Sequence, residues 1–205
     1  MKRSASSRNW LRRHVSDPYV QRSRKEGYRA RSAYKLSEID DKDHFLKPGA
    51  RVVDLGAAPG GWCQVVAKRV GPAGQVVAID LLEVAPLPGV EVIRADFAAA
   101  DGLAAVEAAL KGEKVDVVLS DMAPNLSGIA ISDQARAMTL AEIARDFASA
   151  HLKPGGVFVV KVFQGAGYDE FLRSLRAAFA KVVVRKPGAS RGESAELYLL
   201  ARDPR

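Results

Sequence analysis

From residue 50 onward the chain alternates short apolar runs with longer stretches in which apolar side chains recur every three or four positions. "RVVDLG", "QVVAID", "VDVVLSD" and "GVFVVKVF" lack the in-out alternation of a half-exposed strand, which is the pattern of parallel strands covered on both faces. "GWCQVVAKRV", "LAAVEAALK", "DQARAMTLAEIARDFASAHL" and "YDEFLRSLRAAFA" have helical spacing, and "VEVIRAD" adds a further strand. Such alternation predicts an α/β domain with a mostly parallel sheet wrapped by helices. The last two strands, "KVVVRK" and "AELYLLAR", have no helix between them, so the terminal strand is expected to be antiparallel, inserted as a hairpin. Ahead of the sheet, "SAYKLSEIDDKDHF" carries a partly apolar helical face (Tyr34, Leu36, Ile39) and stops at the breaker "KPGA". No internal repeat or long linker interrupts the chain. The expected organisation is a single domain over residues 31–205 and an N-terminal extension over residues 1–30, flexible through about Arg8.

One position breaks the apolar pattern. Lys161 sits in the middle of "VFVVKVFQG", where an unpaired ammonium costs several kcal/mol or gives up its proton. A lysine near a strand end can carry its charge to solvent along its methylenes, so the anomaly alone does not establish a function.

Composition narrows the class. A chain of 205 residues, 48% hydrophobic and 27% charged, suits one soluble α/β domain. No apolar run approaches the roughly 20 residues that cross a bilayer, and the polar N-terminus does not resemble a secretory signal. The lone Cys63 forms no internal disulfide and belongs to no metal cluster, which together with the rest predicts a cytoplasmic protein. Charge is unevenly placed: residues 1–35 hold 11 Lys/Arg against 2 Asp/Glu, whereas the other 170 hold 20 against 22. A local basic segment of this kind suits nucleic-acid phosphates. Trp10, Leu11, Tyr19, Val20, Tyr28 and Tyr34 are interleaved with its charges, and could anchor it to the domain or stack on exposed bases.

Open parallel sheets bind ligands beyond the carboxyl ends of their strands. The first strand runs into "VVDLGAAPGGW", a Gly-rich turn that opens a helix. Ala58 stands where the dinucleotide fingerprint needs glycine, and no G-K-[ST] follows, so neither that motif nor a P-loop is present. Gly56 and Gly60 would let backbone approach a ligand, and Asp54 could order the turn or reach a cationic group. Asp80 ends the second strand, where a carboxylate can accept both ribose hydroxyls, and Asp96 follows the third, where it could accept from an adenine amino group. Each alone is an ordinary cap or turn residue; three in succession beside a Gly turn favour a nucleoside site. Trp62 is equally suited to the core or to a pocket wall.

These stretches, with "SDMAPN", "PGGVFVVKVFQG", "VRKPGASRGESAELY" and "RSAYKL", resemble the FtsJ (RrmJ) family of S-adenosylmethionine-dependent ribosomal RNA ribose 2′-O-methyltransferases, in order over nearly the whole chain. The resemblance implies a Rossmann-like, seven-stranded sheet with one antiparallel strand. It implies S-adenosylmethionine as cofactor, S-adenosylhomocysteine as product and no metal, with Gly60, Trp62, Asp80, Asp96 and Asp121 as cofactor-binding residues. It further implies a Lys-Asp-Lys-Glu catalytic tetrad at Lys35, Asp121, Lys161 and Glu196. Glu193 lies close by, but the E-x-Y pattern is kept around Glu196. "SAELY" departs from the more basic sequence usual before this Glu, which weakens the expectation that this loop contacts RNA. The implied substrate is a uridine in the A-loop of 23S ribosomal RNA, within the 50S subunit, bound through the basic segment by a monomeric enzyme.

The chemistry explains the residue types. A ribose hydroxyl is a weak nucleophile, so an enzyme must align it with the methyl donor and remove its proton. Lys161, transiently neutral, is the expected general base. Burial, the Lys35 charge and the cofactor's cationic sulfur favour its free amine, while Asp121 and Glu196 favour the ammonium. Two other readings are a 2′-O-methyltransferase for tRNA or an mRNA cap, and a non-catalytic ribosome-assembly factor. Retention of all four tetrad residues argues against the second.

Overall fold

The structure, a computed structural model, describes residues 17–205. The expected flexible start, Trp10 and Leu11 lie outside the described residues. In chain order the elements are α1 (Pro18–Glu26), α2 (Ser32–Asp43), β1 (Arg51–Leu55), α3 (Gly61–Val70), β2 (Gln75–Asp80), β3 (Val90–Arg94), α4 (Ala100–Leu110), β4 (Val115–Ser120), α5 (Ala130–His151), β5 (Leu152–Phe163), α6 (Tyr168–Ala178), β6 (Phe179–Arg185) and β7 (Glu196–Pro204). The strands form one seven-stranded sheet in the order β3-β2-β1-β4-β5-β7-β6. β7 enters between β5 and β6 and runs antiparallel to both, as the missing helix between the last two runs predicts.

Both faces of this sheet are apolar because both are covered. Val53, Val77, Val118, Phe158, Val160 and Leu199 point to one side, where α4, α5 and α6 close the core through Val106, Phe147 and Phe171. Their chain neighbours Val52, Val76, Val117, Val159 and Leu200 point to the other side, against Leu36 and Ile39 of α2 and Val65 and Val66 of α3. Lys161 therefore faces α2, two positions beyond Val159, and its cross-strand partner is Tyr198.

Two boundaries differ from the sequence expectation. The helices over 130–151 and 168–178 pass directly into β5 and β6, so Leu152, Phe179 and Ala180 are strand residues. Phe179 pairs with Pro204 and is buried against Phe158, which outweighs the helical spacing of "RAAFA". Helix α1 was not anticipated. The Asp17 side chain accepts from the Tyr19 N–H, Pro18 opens the helix, and Gly27 closes it with φ of 77°. The Tyr19 hydroxyl donates to Glu38 (2.9 Å), the Tyr34 hydroxyl donates to Glu26 (2.9 Å), Arg31 pairs with Asp17, and Val20 is buried. The aromatic residues of residues 17–35 thus anchor this stretch to the domain.

Helix α2 carries Lys35 and is pinned at its far end. Asp43 receives two bonds from the Arg185 guanidinium, at 2.6 and 2.7 Å. Asp40, 1% exposed, accepts from the Phe45 and Leu46 N–H groups at 2.9 and 2.8 Å and pairs with Arg69 of α3 at 3.1 Å. Asp40→Ala would leave two buried amides without their acceptor and leave the Arg69 guanidinium with Asp41 alone as its carboxylate partner. A loss of roughly 2–4 kcal/mol is expected in urea unfolding; a change under about 0.5 kcal/mol, the range of an ordinary surface substitution, would refute this anchoring role.

Candidate active site

The carboxyl ends of β4 and β5 and the first residues of β7 meet beneath the start of α2. Period two places Leu119 and the position of Asp121, Val159 and Lys161, and Tyr198 and Leu200 toward the α2 side of the sheet. The Lys161 side chain is 8% exposed; its Nζ donates to the Asp121 carbonyl oxygen at 2.7 Å and pairs with Asp121 Oδ1 at 3.1 Å. The Tyr198 hydroxyl donates to the same Oδ1 at 3.1 Å. Lys35 reaches down from α2 and contacts both oxygens of Glu196, at 2.6 and 2.8 Å. Ser190 adds a hydroxyl bond to Glu196 Oε1 at 2.9 Å. The four tetrad positions therefore form two charge pairs, with Tyr198 packed between them and the Lys35 ammonium 5.7 Å from its ring centroid. Glu193 is exposed on the preceding loop.

Electrostatics follow from this burial. Removal from water pushes the Glu196 carboxyl up, but the Lys35 charge and the hydrogen bonds from Lys35 and Ser190 outweigh it and hold the group below its ordinary range. Burial pushes the Tyr198 phenol well up, reinforced by the Asp121 and Glu196 charges, so the hydroxyl is a donor at any working pH.

The residues expected to contact the nucleoside line the neighbouring strand ends. Gly56 and Gly60 have φ of 81° and 101°. A Cβ on Gly56 would stand 2.8 Å from the Met122 backbone, and one on Gly60 would stand 2.6 Å from Arg29, so this turn needs both glycines. Asp80 accepts from the Ala58 and Leu82 N–H groups, each at 2.8 Å, and so shapes the turn. Asp96 is exposed, with Oδ1 accepting from Ala98 N–H at 2.9 Å. Trp62 is 2% exposed; its indole packs 5.7 Å from the Tyr198 ring, and Nε1 donates to Ser32 O at 2.9 Å. That ring belongs to the core, which leaves the Trp62 backbone, at the start of α3, as its means of reaching a ligand.

Asp54 is fully buried beneath the turn. Cys63 Sγ donates to Oδ2 at 3.2 Å, and Oδ1 has no partner among the described residues. Burial raises its carboxyl to about 7, the Cys63 hydrogen bond opposing this and the Asp121 and Asp80 charges adding to it. An orphaned buried acceptor beside a glycine cradle, ringed by Asp80 and Asp121, fits a cationic ligand carrying a ribose, as S-adenosylmethionine does. Sequence reasoning missed two members of this site. Tyr198 was signalled by its position two residues beyond Glu196 on a strand. Arg29 donates to the Ala85 and Pro86 carbonyls at 2.7 and 2.9 Å, holding the turn and the loop after β2 together; nothing local in the sequence marks it.

A Rossmann-like sheet with a single antiparallel strand and an acidic, glycine-cradled cleft at its carboxyl edge is the fold shared by methyltransferases of the S-adenosylmethionine-dependent class. Consistent with that, the chain is similar in structure to a SAM-dependent O-methyltransferase from Thermotoga maritima, at 17% identity and TM-score 0.54 over 86% of this chain and 66% of that one. The sequence pattern of FtsJ-like methyltransferases matches residues 28–204, and the chain belongs to that family. It is 57% identical over 205 residues to "Ribosomal RNA large subunit methyltransferase E" of Azoarcus sp., covering all of both chains. It also resembles a ribosomal RNA methyltransferase of Plasmodium falciparum, at 29% identity and TM-score 0.77 over 86% of this chain and 98% of that one.

The Asp54 environment makes stability depend on pH. Its folded value of about 7 lies above the unfolded value near 3.9. Below about pH 4 both states hold the proton. As pH rises toward 7 only the folded state keeps it, so stability falls across that window by roughly 1.4 kcal/mol for each unit of separation. Asp54→Asn is expected to flatten this fall in urea midpoints measured from pH 4 to 8. An undiminished slope in the variant would assign the pH dependence elsewhere.

Proposed function

We propose that this protein methylates the ribose 2′-hydroxyl of a uridine in large-subunit ribosomal RNA, in the 23S A-loop of the 50S subunit, with Lys161 as general base. The observation that carries the reading is the pairing of Lys161 with Asp121 beside the Lys35–Glu196 pair, in a cleft whose other half is a glycine cradle over buried Asp54. Family membership and the similarity to ribosomal RNA methyltransferases support ribosomal RNA as the substrate class.

S-adenosylmethionine, when bound, supplies an electrophilic methyl group on a positively charged sulfur. Gly60, the Trp62 backbone, Asp80 and Asp96 would hold its nucleoside, and Asp121 the end that carries the sulfonium. Lys161 Nζ, as the free amine, accepts the 2′-hydroxyl proton, and the new ammonium keeps the Asp121 carbonyl and carboxylate as acceptors at 2.7 and 3.1 Å. Tyr198 stops that carboxylate from turning away by holding Oδ1. Lys35 spends two of its three N–H donors on Glu196, and the third is left to orient the substrate oxygen. Glu196, fixed by Ser190, keeps the Lys35 cation in place.

Phosphates flanking the target ribose suit the basic N-terminal segment, residues 1–30. Residues 1–16 contribute five Lys/Arg and no acid, and residues 17–30 hold this segment to the domain through α1.

Lys161→Ala is expected to lower methyl transfer to 50S subunits by about 10²–10⁴-fold, while calorimetry finds cofactor affinity retained. Near-normal turnover would remove the base assignment. Mass analysis of ribosomal RNA from cells lacking the gene should show loss of one 2′-O-methyl uridine. Unchanged ribosomal RNA with an altered tRNA or mRNA cap would redirect the substrate, and unchanged RNA throughout would favour an assembly factor. Removing residues 1–16 is expected to weaken RNA binding and flatten its dependence on salt, because fewer counterions are released. An unchanged salt slope would return this segment to a solubilising role.

A further inference from the structure

Among the described residues, seven large apolar side chains are exposed, and three of them fall within residues 126–131: Leu126 at 80%, Ile129 at 65% and Ile131 at 84%. Single exposed apolar residues are ordinary on a soluble protein, but three within six positions, two on a short connection and Ile131 in the first turn of α5, form a patch. The connection joins β4 to α5 and begins with Asp121. It is not a loose strand end. The Asp133 carboxylate accepts from the Ser127 N–H at 2.8 Å, the Ser127 hydroxyl at 2.7 Å and the Gly128 N–H at 3.1 Å. These bonds brace the loop and leave its apolar side chains turned to water.

The placement of the loop is fixed a second time. Gln134, in the first turns of α5, donates to the Phe163 carbonyl at 3.2 Å and the Ala166 carbonyl at 3.0 Å. Phe163 is the last residue of β5, two beyond Lys161. The apolar loop therefore borders the strand ends that present Asp121 and Lys161. The α2 side of the cleft has the opposite character: Arg31, Lys35 and Arg191, with Ser32, Ser194 and Glu196, line an open cavity of about 330 Å³. A nucleotide has the same division, an anionic phosphate on one side of the sugar and a flat apolar-faced base on the other. With the ribose at Lys161 and phosphate drawn to the basic side, the base and its stacking neighbour are directed to the apolar side.

We propose that Leu126, Ile129 and Ile131 form an apolar wedge that packs against RNA bases at the target site, filling the stack from which the target nucleotide is drawn. This rests on the proposed RNA methyltransferase activity and adds a specificity element to it. Drawing a base out of its stack costs a few kcal/mol, and apolar side chains entering a base step are a known way to offset that cost. The braced loop would present the wedge already shaped, without ordering it on binding.

The full-length double variant Leu126→Ser with Ile131→Ser tests this, since both side chains are exposed and neither belongs to the catalytic or cofactor-binding residues. With purified 50S subunits its KM is expected to rise about tenfold or more, with cofactor affinity and thermal midpoint unchanged. A 23S stem-loop carrying 2-aminopurine beside the target uridine should brighten on binding wild type, not on binding the variant, and Leu126→Met should retain the signal. A variant with unchanged KM and unchanged fluorescence change overturns the wedge. So does a wild type that self-associates in sedimentation through these residues, because the patch would then cover a second copy. A wild type that binds the stem-loop and brightens it, yet transfers no methyl to any RNA, refutes the proposed activity while leaving the wedge as an RNA contact.

Discussion

An ammonium with 8% of its side chain exposed, set between buried Val160 and Val162 on its strand, has to be paired where it stands. Losing water around such a charge costs several kcal/mol, and only close, well-directed acceptors repay it. Lys161 finds them in one residue, the carbonyl and carboxylate of Asp121. That pairing works only if β4 ends in register with β5, Ser120 opposite Val160, so that the first residue beyond β4 falls beside Lys161. The register in turn is set by Val117, Val118 and Leu119 locking against Val157, Phe158 and Val159, one face into each core.

The antiparallel insertion of β7 serves the same constraint. A parallel strand would begin at the far edge of the sheet and carry its first residues away from the cleft. Running the other way, β7 begins where β5 ends, so Glu196 lies opposite Phe163 and Tyr198 opposite Lys161. Tyr198 then shares Asp121 Oδ1 with the lysine, and Glu196 meets Lys35 descending from α2. α2 is held for this at Asp40 and Asp43, far along the helix from Lys35, which allows the Lys35 end to face an open cleft without the helix losing its position.

Most of the sheet was legible because two covered faces leave a clear record: Val-, Ile- and Leu-rich runs without in-out alternation at the central parallel strands, and a missing helix where the chain doubles back. What was not legible depends on tertiary contact. Nothing in "RAAFA" shows that Phe179 will leave the helix to pair with Pro204 and bury its ring. Helix α1 was not predicted although "DPYVQRSRKEG" holds an N-cap Asp, a first-turn Pro and a closing Gly, because Val20 is its one buried apolar residue and leaves no helical periodicity to follow. Trp62 was evenly poised on residue type, and only the fold shows its indole inside the core, bonded to Ser32. Asp54 was read as a turn-former or a cation's partner. Its complete burial with one orphaned oxygen is a property of the packed core that no spacing encodes.

The cleft is divided electrostatically, and the division has a structural owner. Asp54, Asp80, Asp96 and Asp121 gather at the ends of β1 to β4, while Arg31, Lys35 and Arg191 gather over β7. A cation and a polyanion can therefore occupy one cleft without either being drawn into the other's half. Arg29 joins the halves. It lies in the basic segment, yet its guanidinium holds the Ala85 and Pro86 carbonyls and crowds Gly60, and its backbone N–H donates to Gln64 at 2.8 Å. The segment that follows α1 is thereby fixed to the glycine turn by short bonds. Because the same few residues lead on to Lys35, the turn and the Lys35–Glu196 pair are held by one continuous stretch of chain, and Lys161 stands at the seam between the acidic and basic halves.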